Sequence, residues 1–249
     1  MVGSRIRLFA QLVLAGMVMV VLAALTGPTS SSPSPAHSKR LYRSVEAAAT
    51  KRVDALYAGV PQRGAVLGDQ NAPVTLQFFA DLECKEARQF VIGALPFLIR
   101  RWVRGGELRI EYRAHPAETI WPDVFNRQQI AVLSAGMQER GWNYLDFFYH
   151  EQGPEFTRYS TQHFLHAIAG EVPGLDLARW AEDRHEPALT RRLQSDGRVA
   201  RRHSIHYTPA FLIGPTGGSA KPLLHFSLTE SAAFNEAIEA VLRGSPNYD

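Results

Sequence analysis

The chain has 249 residues, of which 45% are hydrophobic and 20% are charged. This length suffices for one large domain or two small ones, and the composition excludes wholesale disorder. The formal net charge is +3, but the first 25 residues hold two of the 27 basic residues and none of the 24 acidic ones. The remainder is therefore close to neutral, which gives no electrostatic basis for binding nucleic acid.

The N-terminal segment combines positive charge with a long apolar run. Arg5 and Arg7 precede a run from Leu8 to Leu25 that only Gln11 and glycine interrupt. This pattern predicts a signal peptide or a membrane anchor over residues 1–26, and a buried core helix is the alternative. Both of the first two interpretations export the rest of the chain. We therefore expect an extracytoplasmic protein of the cell envelope, either membrane-anchored or secreted.

Two segments follow before the main domain. Residues 27–38 (GPTSSSPSPAHS) are rich in proline and serine and predict a linker. Residues 39–58 predict an amphipathic helix, because apolar residues recur every three or four positions. We expect this helix to pack on the domain, and binding to a partner is the alternative.

The first half of the domain at 59–249 reads as strand, helix, strand. Residues 74–79 (VTLQFF) predict a buried strand, residues 84–103 a helix, and Glu107–Arg113 an alternating strand. A crossover helix between two such strands makes them parallel.

The second half begins with helices and returns to strands. Residues from about 123 to 205 predict a helical insertion, in which the aromatic run YLDFFYH belongs to the core. Pro209–Gly214 and the segment LLHFS then predict a hairpin. A final helix runs from Glu230 to about Leu242, with Ser227 and Glu230 as its capping box.

Cys84 is the only cysteine of the chain and lies where the first strand meets the first helix. Exported proteins commonly pair their cysteines, but one cysteine has no partner within its own chain. The thiol is therefore reactive, bonded to another molecule, or buried and inert.

Three stretches carry a resemblance to a known family: LGDQNAPVTLQFFADLEC, WNYLDFFYHEQG and YTPAFLIG. In their order and spacing they are similar to the DsbA-like branch of exported thiol-disulfide oxidoreductases, over roughly residues 59–245. The resemblance implies an α/β, thioredoxin-like fold (βαβ, then ββα) with a helical insertion.

The resemblance also assigns roles to residues. Cys84 matches the nucleophilic cysteine, and Thr208 and Pro209 match the loop whose proline is cis. The chain departs from the family at Ala87, which replaces the second, resolving cysteine, and at Tyr207, which replaces a glycine.

Related proteins often bury a carboxylate in the strand beneath the cysteine. The residue nearest to that position in this chain is Gln77, which is neutral. The carboxylate is therefore replaced by an amide in this interpretation.

Local charge predicts the state of the thiol. A helix N-terminus and the neighbouring Lys85 favour the thiolate, whereas Glu83 and Glu86 oppose it. We predict a pKa of Cys84 modestly below the usual value of about 8.5.

Histidines offer rival sites. His206 is expected either to lie near Cys84 and activate it or to be a surface histidine. His163 and His166 have helical metal-ligand spacing, but no third ligand accompanies them. We predict no metal and no cofactor.

Three functions remain open. A monothiol oxidoreductase or isomerase-like protein would attack client disulfides through Cys84, with Lys85, Glu86, Ala87 and His206 as modulators. A redox-inactive, chaperone-like module would hold extended clients at Thr208 and Pro209. A covalent partner role would keep Cys84 in an intermolecular disulfide. Partners are protein or peptide clients, an external thiol reductant, and the membrane through the N-terminal segment.

Overall fold

The computed structural model describes residues 48 and 50–245. The predicted signal or anchor segment, the linker and most of the predicted helix at 39–58 lie outside these described residues. Residues 50–57 are helical and are named α1; Val53 and Tyr57 of this helix are buried in the core. Within the described part of the chain, no helix has the length and apolar character needed to cross a membrane.

A six-stranded sheet forms the centre of the described residues, in the order β1-β2-β4-β3-β5-β6. The strands are β1 (Gln62–Arg63), β2 (Val66–Leu67), β3 (Val74–Ala80), β4 (Leu108–Ala114), β5 (Ala210–Pro215) and β6 (Lys221–Pro222). β3 and β4 are parallel, whereas β5 pairs with β3 in the antiparallel sense. The predicted βαβ unit and the thioredoxin-like α/β class are confirmed. The short strands β1 and β2 were not predicted.

Helices cover both faces of this sheet. They are α2 (Lys85–Ile92), α3 (Leu95–Leu98), a π-helical turn (Ile99–Val103), α4 (Pro122–Gly136), α5 (Gly141–His150), α6 (Gln162–Glu171), α7 (Leu177–Asp183), α8 (Pro187–Arg202) and α9 (Ala232–Leu242). On one face, Phe78 packs against Phe90 of α2 and stacks on Phe211 of β5. On the other face, Phe79 packs against Ala200 of α8. This two-sided burial explains why β3 reads as a continuous apolar run.

The predicted single helix at 84–103 is wrong, because it breaks at Gly93. A Cβ atom at this position would lie 2.8 Å from the carbonyl oxygen of Leu228 and from the Cα of Thr229. The 228–229 backbone therefore approaches so closely that only glycine fits. Ala94 also donates its N–H to the carbonyl of Leu228.

Two details near the C-terminus differ from the prediction. The partner of β5 is β6 at Lys221–Pro222, not the segment LLHFS, because Leu212 and Ile213 pair with Pro222 and Lys221. The capping box is also wrong, since α9 begins after Ser231. Ser227 Oγ instead accepts from the amide of Glu230 within the preceding turn.

Candidate functional site

Cys84 lies in the tight turn between β3 and α2. Its amide donates to the carbonyl of Asp81 at 3.1 Å, and Cys84 is the residue immediately before the first turn of α2. The apolar strand and the helix together fix this turn at the carboxyl end of β3. As a result the side chain of Cys84 is fully buried.

The thiol faces the loop that precedes β5. Sγ of Cys84 donates to the carbonyl oxygen of Thr208 at 3.3 Å and lies 3.5 Å from Oε2 of Glu86. The peptide bond between Thr208 and Pro209 is cis, which confirms that prediction. The fold thus brings Cys84 next to Thr208 and Pro209, although Cys84 is more than 120 positions from both in the chain.

The predicted lowering of the thiol pKa is wrong. Burial raises the pKa of Cys84 to about 11, and the nearby carboxylate of Glu86 adds to the increase. The Thr208 hydrogen bond and the amides of Ala87 and Glu86 lower the pKa, but they do not offset the loss of hydration. Cys84 therefore rests as a protonated thiol at neutral pH.

Glu155 explains why Lys85 does not assist the thiol. Its carboxylate accepts from the amide of Lys85 at 3.0 Å and from Nζ of Lys85 at 3.2 Å. The amide at the start of α2 and the lysine charge are thus both directed to Glu155, which comes from the helical insertion. Nothing in the local sequence around Cys84 indicates this contact.

The predicted modulators Ala87 and His206, and Tyr207 at the family's glycine position, fall into two groups. Ala87 is buried on α2, whereas His206 and Tyr207 are exposed. Burial lowers the pKa of His115 and the nearby His206 lowers it further, but His206 makes no hydrogen bond to Cys84 among the described residues. His206 is therefore the surface histidine of the two alternatives.

Asp81 is a buried acid that the sequence interpretation missed. One carboxylate oxygen accepts from the amides of Ala117, Glu118 and Thr119 at 2.8–2.9 Å. The other accepts from the amide of Glu83 at 3.0 Å. Asp81 thereby ties the Cys84 turn to the loop that follows β4. The sequence signal was a charged residue directly after an apolar strand.

Glu83 is the second buried acid, and it precedes Cys84. Burial raises the pKa of Glu83 to about 7, and the amide of Gln128 at 2.9 Å lowers it. Its second oxygen, Oε2, is buried and has no hydrogen-bond partner among the described residues. Neither acid lies in β3, so the expectation that Gln77 occupies the family's carboxylate position stays a prediction. Gln77 accepts from Nε of Arg113, and the buried carboxylates beside Cys84 are Asp81 and Glu83.

The helical insertion closes over the same turn. Tyr149 at the end of α5 donates its hydroxyl to the carbonyl of Asp81 at 3.0 Å. Gln152 donates to the carbonyls of Leu82 and Cys84 at 2.8 and 3.1 Å. The predicted core position of this aromatic run is confirmed, because Tyr149 is fully buried. No group of three or more metal-ligating side chains occurs within residues 48 and 50–245.

A family model described as thioredoxin matches residues 61–219. This match covers more than half of the chain, so the chain belongs to the thioredoxin family. A curated protein from Bacillus anthracis, named probable disulfide bond formation protein D, is 22% identical over 157 residues. The aligned region covers 63% of this chain and 71% of that protein.

Two solved structures share this fold. Oxidised BdbD from Bacillus subtilis has a TM-score of 0.61 at 16% identity, covering 74% of this chain and 98% of the other. Wolbachia pipientis alpha-DsbA1 has a TM-score of 0.59 at 17% identity, covering 72% and 91%. Both similarities concern the fold.

Proposed function

We propose that this chain is an extracytoplasmic thiol-disulfide oxidoreductase that uses Cys84 as its single redox group, with an isomerase-like action on protein or peptide clients. The observation that carries this proposal is the contact between Sγ of Cys84 and the carbonyl of Thr208, 3.3 Å apart, beside the cis proline. The only thiol of the chain thus lies where a helix N-terminus meets the loop that precedes β5. The family match and the names of the relatives agree with this class of activity.

The chemistry starts from a masked thiol. Cys84 is buried and protonated, so the free protein is a poor nucleophile. An extended client that pairs with the Thr208 backbone would compete for the same carbonyl oxygen that the thiol now uses. We propose that client binding frees Cys84 in this way, and that Thr208 and Pro209 form the client-binding edge.

The exchange itself needs one thiolate. The thiolate of Cys84 attacks one client sulfur, a mixed disulfide forms, and the other client sulfur leaves as a thiolate. A second client thiol then displaces Cys84, which isomerises the client without net oxidation. Alternatively an external thiolate attacks the Cys84 sulfur of the mixed disulfide and releases the client as a dithiol. A second external thiolate then attacks the external sulfur of the resulting adduct, so that the two external thiols form a disulfide and Cys84 is restored as a thiol. Ala87 supplies no second thiol, so the chain cannot form the internal disulfide that would oxidise a dithiol client.

The second candidate is a redox-inactive, chaperone-like binding module. The complete burial of Cys84 and its raised pKa favour it. The same burial argues against a resting disulfide between two copies, because such a bond needs an accessible thiol. Under either candidate we propose an exported protein, with the predicted N-terminal segment as its signal or anchor.

The test is to trap the exchange intermediate. The full chain is mixed with a labelled extended peptide that contains one internal disulfide, and the products are separated without reductant. We expect a mixed disulfide with the natural chain and none with Cys84→Ser. If the peptide binds both proteins equally and no mixed disulfide forms, the binding module is the correct function.

Ala87→Cys provides a matched gain of function. This variant should release the peptide as a dithiol while two thiols of the chain become a disulfide, so the mixed disulfide should not accumulate. A mixed disulfide that persists in this variant would show that position 87 does not reach the Cys84 sulfur, contrary to the proposed geometry.

A further inference from the structure

A groove with a charged wall lies beside the candidate site. It has a volume of about 650 Å³ and runs between the loop after β4, the start of α4, and α8. This volume falls within the range of about 300–1,000 Å³ that is typical of ligand clefts.

The floor of the groove is apolar. Pro116, Ile120 and Pro122 line one side, and Leu193 of α8 lines the other. Ile120 is 59% exposed, and Pro116 and Pro122 are exposed as well, whereas Phe125 is buried. Exposed apolar residues grouped along a concave surface are typical of an interaction site.

The α8 wall is basic and has no acidic counterpart. Arg198 and Arg201 line it, and the groove residues include no carboxylate. Neither arginine forms an ion pair within the described part of the chain. Asp123, the acid nearest along α4, is already bound to Arg127 and Arg158.

The groove is joined to the Cys84 turn through one loop. The amide of Thr119, a groove residue, donates to the carboxylate of Asp81, whose carbonyl accepts from the amide of Cys84. On the same loop, Glu118 lies near the acids Glu155 and Glu86 and near the cation Lys85. Three acids and one cation thus surround Glu118, whereas the charged residues of the groove are both arginines, so an acidic segment is favoured at the groove.

We propose that this groove binds an extended acidic peptide segment of a protein partner, with alternating apolar and acidic residues. Apolar side chains of the segment pack between Ile120 and Leu193, and its carboxylates pair with Arg198 and Arg201. An extended chain places alternate side chains on opposite faces, which suits one apolar floor and one basic wall. This surface uses none of the residues assigned to thiol exchange, so the inference goes beyond the proposed function.

The test measures binding of two cysteine-free fluorescent peptides to the full chain by anisotropy. In one peptide leucine alternates with glutamate, and in the other leucine alternates with lysine. We expect the glutamate peptide to bind more tightly, and Arg198→Glu with Arg201→Glu to weaken it by about tenfold, since each exposed ion pair contributes modestly. The control is Arg191→Glu, an exposed position of α8 outside the groove, which should leave the affinity within about twofold.

Three results would overturn the proposal. These are equal binding of the two peptides, an unchanged affinity in the double variant, and binding of phosphatidylglycerol vesicles in place of the glutamate peptide. The same measurement on Cys84→Ser should give the natural affinity. The groove is thereby tested separately from the thiol chemistry.

Discussion

Two buried carboxylates on neighbouring parts of the fold differ in how they are neutralised. Asp196 of α8 accepts from Arg113 at 2.9 Å and from Arg192 at 3.0 Å, and both arginines also contact Glu111. Glu83, next to Cys84, accepts from the side-chain amide of Gln128, and it forms no ion pair within the described part of the chain. Asp196 is thus neutralised by two arginines, whereas Glu83 has no cationic partner of this kind.

This difference distinguishes the Asp196 network, which stabilises the fold, from the candidate site around Cys84. Buried polar atoms are usually hydrogen-bonded, and unsatisfied ones concentrate where function requires them. Counting only partners among residues 48 and 50–245, the buried side-chain atoms without a hydrogen bond around the Cys84 turn include Glu83 Oε2, both ring nitrogens of His115, and Thr208 Oγ1. The contrast with Asp196 indicates that the Cys84 region is not optimised for stability alone.

The largest expected effect concerns the network at Asp196. Replacement by alanine removes the 1% exposed carboxylate that Arg113 and Arg192, which are 14% and 30% exposed, share, and leaves both arginines only Glu111 as an ion-pair partner among the described residues. We expect Asp196→Ala to lower the free energy of unfolding by about 3–5 kcal/mol, measured by urea denaturation. The control, Asp123→Ala, removes an exposed ion pair and should cost less than about 1 kcal/mol. Equal losses for the two variants would contradict the structural role of this network.

The second prediction concerns Glu83 and pH. Its pKa in the folded protein is raised to about 7 from 4.5, so the folded state binds a proton more tightly than the unfolded state. The stabilisation is complete below pH 4.5 and is lost as the pH rises to 7, a decrease of about 3 kcal/mol.

Glu83→Gln should flatten this pH dependence, since the variant has no proton to lose. Urea denaturation between pH 4.5 and 7.5 measures the effect, and Glu239→Gln on the exposed face of α9 is the control. A steep decrease that persists in Glu83→Gln would assign the titration to another group.

The smallest effect is expected at Glu86. Its carboxylate lies 3.5 Å from the thiol and raises the pKa of Cys84, so Glu86→Gln should favour the thiolate. Because this carboxylate is partly exposed, water screens the interaction to about 1 kcal/mol or less. Alkylation of Cys84 at pH 8 should become about two- to fivefold faster. A slower reaction would show that Glu86 assists the thiol.

The fold was readable from the sequence because it depends on local patterns. The apolar run of β3, the alternation of β4 and the order of the elements predict the α/β class, and the resemblance to the DsbA-like family implied the meeting of Cys84 with the Thr208–Pro209 loop. The helix break at Gly93 could not be predicted from the sequence, because it is caused by the close approach of the backbone of residues 228–229.

The electrostatics of the site could not be predicted from nearby residues. The sequence interpretation counted Lys85 and the helix N-terminus as thiolate-stabilising, but Glu155, 70 positions further on, engages both. Complete burial of Cys84 depends on packing that involves the Thr208 loop. The charges of neighbouring residues in the sequence therefore predicted the wrong direction for the pKa shift of Cys84.

The most direct test is the pH dependence of Cys84 alkylation in the folded full chain, with the urea-unfolded chain as the reference. A masked, protonated thiol predicts slower alkylation than in the unfolded chain between pH 7 and 9, and an apparent pKa near 11. Alkylation faster than in the unfolded chain, with an apparent pKa below about 8.5, would contradict this account and identify Cys84 as a thiolate already activated in the free protein.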